Sequence, residues 1–377
     1  MVVGCPSEIK RHEYRVGITP QCAKSYISHG HRVLMQSGAG AGSGYLDEEY
    51  SSVGAEIVPD ADAVFSGAEM IVKVKEPLPE EFGRLRTGQI LFTYLHLAAN
   101  PELAERLCTQ GVQSVAYETI ELADRSLPCL TPMSEIAGRL SIQEGAKYLE
   151  KAFGGRGILL GGVPGVPRGN VAIIGGGVVG TNACKIAVGI GANVTILDVN
   201  SRRLAYLDDI FGSSITTLYA TEANIEHVLT ESDIVVGAVL LPGESTPKLI
   251  RREHLSIMKP GAVLVDVAVD QGGCAETTHP TTHDDPIFIV DGVVHYCVAN
   301  MPGAVARSST IALTSVTLNY GLLIADEGLE RAVSSDSALE RGVNCFKGQC
   351  VHNAVAKSCG IPHVPLKELL AAERHVE

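Results

Sequence analysis

The segment NVAIIGGGVVGTNACKIAVGIGANVTILD, residues 170–198, reads as strand, glycine turn, helix and strand. Asn170–Ile174 is a short apolar run that ends in Gly175-Gly-Gly177-Val178-Val179-Gly180, after which a helix is predicted over Val178–Ile190 and a strand over Asn193–Asp198. A G-x-G-x-x-G string alone is a weak signal. Between a strand and a helix, with an acidic residue 18 positions past its last glycine, it is the dinucleotide fingerprint of a βαβ unit. Gly175 permits the tight turn, Gly177 lets a pyrophosphate approach the backbone, and Gly180 lets the helix pack on the sheet. The first helical turn offers its positive end to phosphate. Asp198 would accept hydrogen bonds from both adenosine-ribose hydroxyls and repel a 2′-phosphate. That favours NAD over NADP, a preference tempered by the nearby Arg202 and Arg203. A glycine-rich turn that holds no nucleotide is the bland alternative.

Outward from this unit the alternation continues. Downstream come a helix over Ser201–Phe211 and strands over Asp233–Val239 and Ala262–Val267, with the set ending near Ala299-Asn300. Upstream, strands are predicted at Val2–Pro6, Arg32–Gln36, Met70–Lys75, Gln89–Tyr94 and Gln113–Tyr117. Helices are predicted at Gln21–His29, Asp47–Val53, Asp60–Gly67 and Pro101–Gln110. Thr131-Pro132 opens a long helix, Met133 to Phe153, with Thr as its expected cap. A Gly/Pro-rich connection, GGRGILLGGVPGVPRGN (154–170), leads into the fingerprint. The last 70 or so residues show no convincing strand. A helix over Arg307–Leu323 is expected to cross back, so that the tail packs on the first domain. The expected fold is α/β: two doubly wound, Rossmann-type domains joined by long helices around a central cleft. Residues 1–130 plus 307–377 would form the substrate and catalytic domain, and 131–306 the nucleotide domain. A second glycine run, Gly38–Gly44, fits no register of the fingerprint and is expected to be a flexible or domain-facing loop.

Composition excludes several classes. With 43 acidic and 30 basic residues the chain carries −13 and repels nucleic acid and anionic lipid. Ten cysteines lie scattered without CxxC pairs, so no metal site is expected. Reduced thiols suit the cytoplasm. The amino terminus lacks a signal-peptide pattern. The uncharged run Ser308–Ala325 carries Ser, Thr and Asn throughout and reads as a buried helix, not a membrane span.

Four polar positions are candidates for chemistry: Arg15, Lys75 after IVKV, His96 after the run ILFTYL, and Asp270 after AVLVDVAV. Three of them sit at or near predicted strand ends, where open α/β sheets bind ligands. Each also has a bland reading: a surface arginine, a lysine paired with Glu76, a core histidine, a loop aspartate.

EYRVGITP (13–20), VKVKEP (72–77), TYLHLA (93–98), PMSEIAGR (132–139), VDVAVDQGG (265–273) and NMPGAV (300–305) together resemble the bacterial L-alanine dehydrogenase family. The likeness runs the length of the chain. Several of these segments are shared with the nucleotide-binding subunit of proton-translocating transhydrogenase. The resemblance implies reversible, NAD-dependent deamination of L-alanine to pyruvate and ammonium. Arg15 and Lys75 would bind substrate, and His96 and Asp270 would handle protons. It further implies that Ser134, Arg203, Val239, Leu240, Val267, Asn300 and Met301 line the nucleotide groove, and that the assembly is a homohexamer.

Overall fold

The computed structural model describes residues 1–239 and 246–373. The chain divides into two units, Met1–Pro132 with Val305–Glu377, and Met133–Ala304. In the first, strands β1 (Val2–Cys5), β2 (Arg32–Gln36), β3 (Glu56–Val58), β4 (Met70–Val72), β5 (Ile90–Thr93) and β6 (Gln113–Ala116) pair in parallel, in the order β6-β5-β4-β1-β2-β3. The chain winds outward from β1 and then, starting at β4, winds the other way. The second unit repeats the plan with β7 (Asn170–Ile174), β8 (Asn193–Asp198), β9 (Ile215–Tyr219), β10 (Ile234–Gly237), β11 (Val263–Asp266), β12 (Ile287–Val290) and β13 (Val293–Tyr296). Their order is β12-β13-β11-β10-β7-β8-β9, all parallel except β12.

Local chemistry sets the elements. Thr19, Asp60 and Asn100 accept the N–H groups of Cys22, Ala63 and Leu103, with Pro20 and Pro101 in first helical positions. β4 and β5 are buried along their whole length, as parallel strands covered on both faces must be, and so they read as unbroken apolar runs.

Four expectations need correction. The tail does contain strands: β14 (Val343–Phe346) runs antiparallel on β6, and β15 (Gln349–Cys350) pairs with β14. The strand expected to reach Lys75 stops at Val72, because Lys73 turns into a buried ion-pair cluster. Thr131 does not cap its helix; its hydroxyl donates to the Leu127 carbonyl (3.0 Å). Hydrogen bonds tie the Gly38–Gly44 loop down, against the flexible alternative of its expected reading. Ser37 and Gly38 donate to Asp47, buried Ser43 donates to the Tyr14 carbonyl, and Arg307 donates to the carbonyls of Ser43 and Gly44.

By length and composition the run Met301–Glu327 could cross a bilayer. One face of it packs inside the first unit. Within Ala306–Glu327, Leu313 and Ile324 are fully buried, and the Thr310 hydroxyl accepts the Val16 N–H and bonds Ser43.

Candidate active site and nucleotide cradle

Where strand order reverses, the loops leaving neighbouring strands diverge and open a crevice at the carboxyl edge. In the first unit that reversal lies between β1 and β4. The chain leaving β1 carries Glu8, Glu13 and Arg15. Lys73, Lys75 and Glu76 follow β4, His96 follows β5, and Glu118 follows β6. Arg15 is buried, and its Nε and Nη2 grip both oxygens of Glu13 at 2.6 and 2.5 Å. One edge of the fork expected to hold substrate is thus committed to a neighbour that keeps the guanidinium charged and oriented. Glu8 accepts the backbone N–H groups of Val74 (2.6 Å) and Lys75 (3.3 Å). It also pairs at 3.3 Å with Lys73, whose other partner is Glu81 at 2.7 Å. Lys73 is fully buried and satisfied.

Lys75 differs from Lys73. Among the described residues its ammonium makes no ion pair, and Glu76, its chain neighbour, pairs with Lys10 at 2.5 Å. Burial, reinforced by the nearby charge of Arg15, lowers the Lys75 pKa below its ordinary 10.5. His96 is exposed, with its ring stacked against Tyr94 at 5.9 Å and 2°. That argues against a core histidine. Its backbone is left-handed, φ 50°, a conformation unusual for a residue with a Cβ. Glu118 holds it there by accepting the His96 N–H (2.6 Å) and that of Leu95. The Tyr94 hydroxyl donates to the Cys129 carbonyl.

In the second unit the reversal lies between β7 and β10, and the glycine turn leaves β7 there. Gly175 has φ 106°, and a Cβ on it would meet the Ala238 carbonyl oxygen at 2.6 Å. A Cβ on Gly180 would fall 1.8 Å from the Gly175 carbonyl oxygen, so only glycine lets the helix Val178–Ile190 sit this close to β7. Gly177 faces open space, and no side chain caps the helix it begins. An uncapped helix start beside a side-chain-free position is the cradle that a pyrophosphate requires. Asp198 uses one oxygen to accept the Gly176 N–H (2.7 Å) and the other for the Asn200 N–H (2.8 Å), and each keeps a lone pair for a ribose hydroxyl. These residues therefore fit NAD.

Arg203 lies folded onto the turn. It donates to the Gly176 carbonyl and the Thr181 hydroxyl, and its guanidinium lies over Tyr206. Ser134 lies on the helix Thr131–Tyr148, one turn before Gly138. A Cβ on Gly138 would stand 2.2 Å from the Val179 carbonyl oxygen, so the shared face of Ser134 and Gly138 meets the helical turn with which the fingerprint ends. Val239 follows β10 beside Gly175. The half-buried Val267 donates to the Gly237 carbonyl. Asn300 has φ 62°, and Met301 is buried. Leu240 lies outside the described residues. Asp270 is exposed on a short turn after β11.

The profile of the alanine dehydrogenase/PNT N-terminal domain matches residues 4–137, and that of the C-terminal domain matches 141–353. The chain belongs to the alanine dehydrogenase/PNT family. It is 56% identical to the alanine dehydrogenase of Methanococcus maripaludis over 98% of this chain and all of that one. It is 55% identical to that of Bacillus subtilis over 100% and 99% of the two chains. A solved L-alanine dehydrogenase superposes with a TM-score of 0.93 at 52% identity, covering 95% of this chain and 99% of the other.

The residues that hold the candidates in place were not singled out from sequence. Glu8, Glu13 and Glu118 look like ordinary surface acids in PSEIKRHEYR and AYETIE. In the second unit Asp266 is buried at the end of β11. It accepts the N–H groups of Ala268 and Cys274 and the Thr278 hydroxyl, which fixes the loop carrying Asp270. An aspartate inside the apolar run AVLVDVAV was the available signal, since a buried carboxylate must find donors.

Proposed function

We propose that this chain is an L-alanine dehydrogenase that catalyses reversible, NAD-dependent oxidative deamination of L-alanine to pyruvate and ammonium. Identity of 55–56% to alanine dehydrogenases over essentially the whole chain carries this reading. The grouping of Arg15, Lys75 and His96 around one strand-order reversal supports it. Gly175, Gly177, Gly180, Val178 and Val179 hold the pyrophosphate, and Asp198 the adenosine ribose. Ser134, Arg203, Val239, Leu240, Val267, Asn300 and Met301 complete the groove. Bound there, NAD supplies the hydride acceptor for deamination and, reduced, the hydride donor for the reverse.

The chain's own groups do the rest. Arg15, kept charged by Glu13, binds the substrate carboxylate. Lys75, whose ammonium lacks a protein counter-ion among the described residues, holds the carboxylate or the C2 oxygen. His96 donates to the carbonyl or carbinolamine oxygen and takes the proton back in the other direction. Asp270 orients water or ammonia. No metal is invoked, and among the described residues no cluster of His, Cys, Asp and Glu could hold one.

The free state of all ten cysteines supports a cytoplasmic setting. The net charge of −13 supports small molecules, not nucleic acid or anionic membrane, as partners. A homohexamer is supported by the apolar side chains left part-covered on the helix Ala306–Glu327: Ile311 is 50% exposed, and Val316, Leu318, Leu322 and Leu323 are half-buried. The function is tested by incubating the protein with NAD and a panel of amino acids while following NADH absorbance. L-alanine should be the preferred substrate. Preference for a bulkier amino acid, or no turnover with any, would overturn the reading.

A further inference from the structure

Outside the candidate site, four cysteines from distant parts of the sequence meet in the first unit. Cys108 lies in the last turn of the helix Pro101–Thr109, Cys345 in β14, Cys350 directly opposite it in β15, and Cys359 at the end of the helix Asn353–Cys359. Cys345 and Cys350 are buried, whereas Cys108 and Cys359 are part-exposed. Cys108 donates to the Cys345 sulfur at 3.4 Å, and Cys359 donates to the Leu97 carbonyl at 3.2 Å, next to the His96 turn. We propose that Cys108 and Cys345 form a redox-active dithiol, a modification site at which a hydroperoxide converts the pair to a disulfide tying the tail hairpin to the helix Pro101–Thr109.

Contact geometry favours this pair over the others. Among the described residues only this pair has its sulfurs in direct contact, at 3.4 Å, and bond formation draws them in to about 2.05 Å. Their roles differ by environment. Cys108 reaches solvent, where the oxidant arrives. Cys345 is sealed in the core, and its N–H is held by the Ser114 hydroxyl at 3.0 Å. Once Cys108 ionises, the Cys345 thiol donates to it, and that hydrogen bond lowers the Cys108 pKa below its ordinary value. Thiolate character is what hydroperoxides select.

The Cys108 thiolate attacks the peroxide oxygen, which breaks the O–O bond and leaves Cys108 sulfenic acid and an alkoxide or hydroxide that takes up a proton. The Cys345 sulfur then displaces the sulfenic hydroxyl, which leaves as water with the thiol proton. With hydrogen peroxide the balance is two thiols plus one peroxide giving one disulfide and two waters. The ring so closed spans residues 108–345, and a long ring is where a crosslink most restricts the unfolded chain.

The test is peptide mapping of the intact native protein after mild hydrogen peroxide, alkylation of remaining thiols and non-reducing digestion. Expected is a chain 2 Da lighter, one crosslinked peptide joining Cys108 to Cys345, reversal by dithiothreitol, and a thermal midpoint that is higher oxidised than reduced. Cys345→Ser should leave Cys108 as a sulfenic acid trapped by dimedone. Cys108→Ser, at a part-exposed site that should tolerate it, should abolish the crosslink while preserving activity. Cys108 found in the wild-type chain as sulfinic acid, joined to Cys350 or Cys359, or still reduced while other thiols are consumed would overturn the proposal.

Discussion

His96 owes its place to a carboxylate that need not touch substrate. Glu118 accepts two successive backbone N–H groups, and that offsets the cost of the left-handed backbone, about 1–3 kcal/mol for such a residue. His96→Ala should lower turnover by roughly 10²–10⁴-fold with NADH affinity spared, because it removes the proposed proton donor. Glu118→Ala should lower turnover too, but through misplacement of an imidazole that is still present. Steady-state kinetics beside NADH titration separates both from a cofactor defect, and a Glu118→Ala enzyme with unchanged kcat would return Glu118 to a structural role. Asp198→Ala should weaken NAD and narrow the gap to NADP. Two or three charge-assisted bonds are lost, about 3 kcal/mol in all; equal use of NAD and NADP by the unmutated enzyme would remove Asp198 from the ribose. Lys75 gives a pH signature. Its charge is present below its pKa and lost as pH rises through it, and that pKa lies beneath 10.5. The KM for pyruvate should therefore climb on the alkaline side before pH 10.5, and Lys75→Arg should flatten the climb, since a guanidinium stays charged there.

Elements were legible in proportion to how much of their reason is local. The helix Val178–Ile190 and strands Asn193–Asp198 and Arg32–Gln36 have the predicted bounds, because glycine, asparagine and charged residues punctuate them. β12 and β13 were missed although Asp291-Gly292 joins them, both with positive φ (49° and 83°). That is the two-residue hairpin turn Asp-Gly prefers. Lys347 (φ 48°) and Gly348 (φ 81°) make the same turn between β14 and β15, whose four and two residues were too short to read as strands. Buried Asn344 is tolerated in β14 because its amide donates to Thr119 and to the Gly342 carbonyl, partners invisible to a local reading. The approach of Gly138 to Val179 was equally hidden. Gly138→Ala places a Cβ 2.2 Å from the Val179 carbonyl oxygen and must push the helix carrying Ser134 off the glycine turn proposed to hold the pyrophosphate. We expect NADH affinity to fall at least tenfold and stability by about 1–3 kcal/mol, read by titration and denaturant unfolding. Unchanged NADH binding would detach Ser134 from the cofactor.

Across the whole molecule, acid sensitivity should come from histidines buried without charge. His295 is fully buried, with Nδ1 donating to the Val293 carbonyl and Nε2 bonded to the Thr277 hydroxyl. Burial lowers its pKa beneath 6.5, as it does that of His352. The unfolded chain binds these protons more readily, so stability is fully present above pH 6.5 and is lost as pH falls through that value toward the folded pKa values. Urea unfolding midpoints should drop from pH 7 to pH 5, and His295→Asn should shrink the drop; an equal midpoint at both pH values would dismiss these histidines as the cause. The doubly wound fold class was legible because βα alternation repeats, whereas the full extent of the first sheet was not, since its last strands lie some 230 residues beyond β6. That separation has a consequence for biosynthesis. A ribosome delivers the chain amino end first, so β1–β6 emerge, then every residue of the second unit, and only then β14. Through that interval β6 offers a bare hydrogen-bonding edge to any passing strand. A nascent chain arrested short of residue 343 would carry a finished second unit and a sticky, unfinished first one, which makes the tail the point at which translation errors become aggregation.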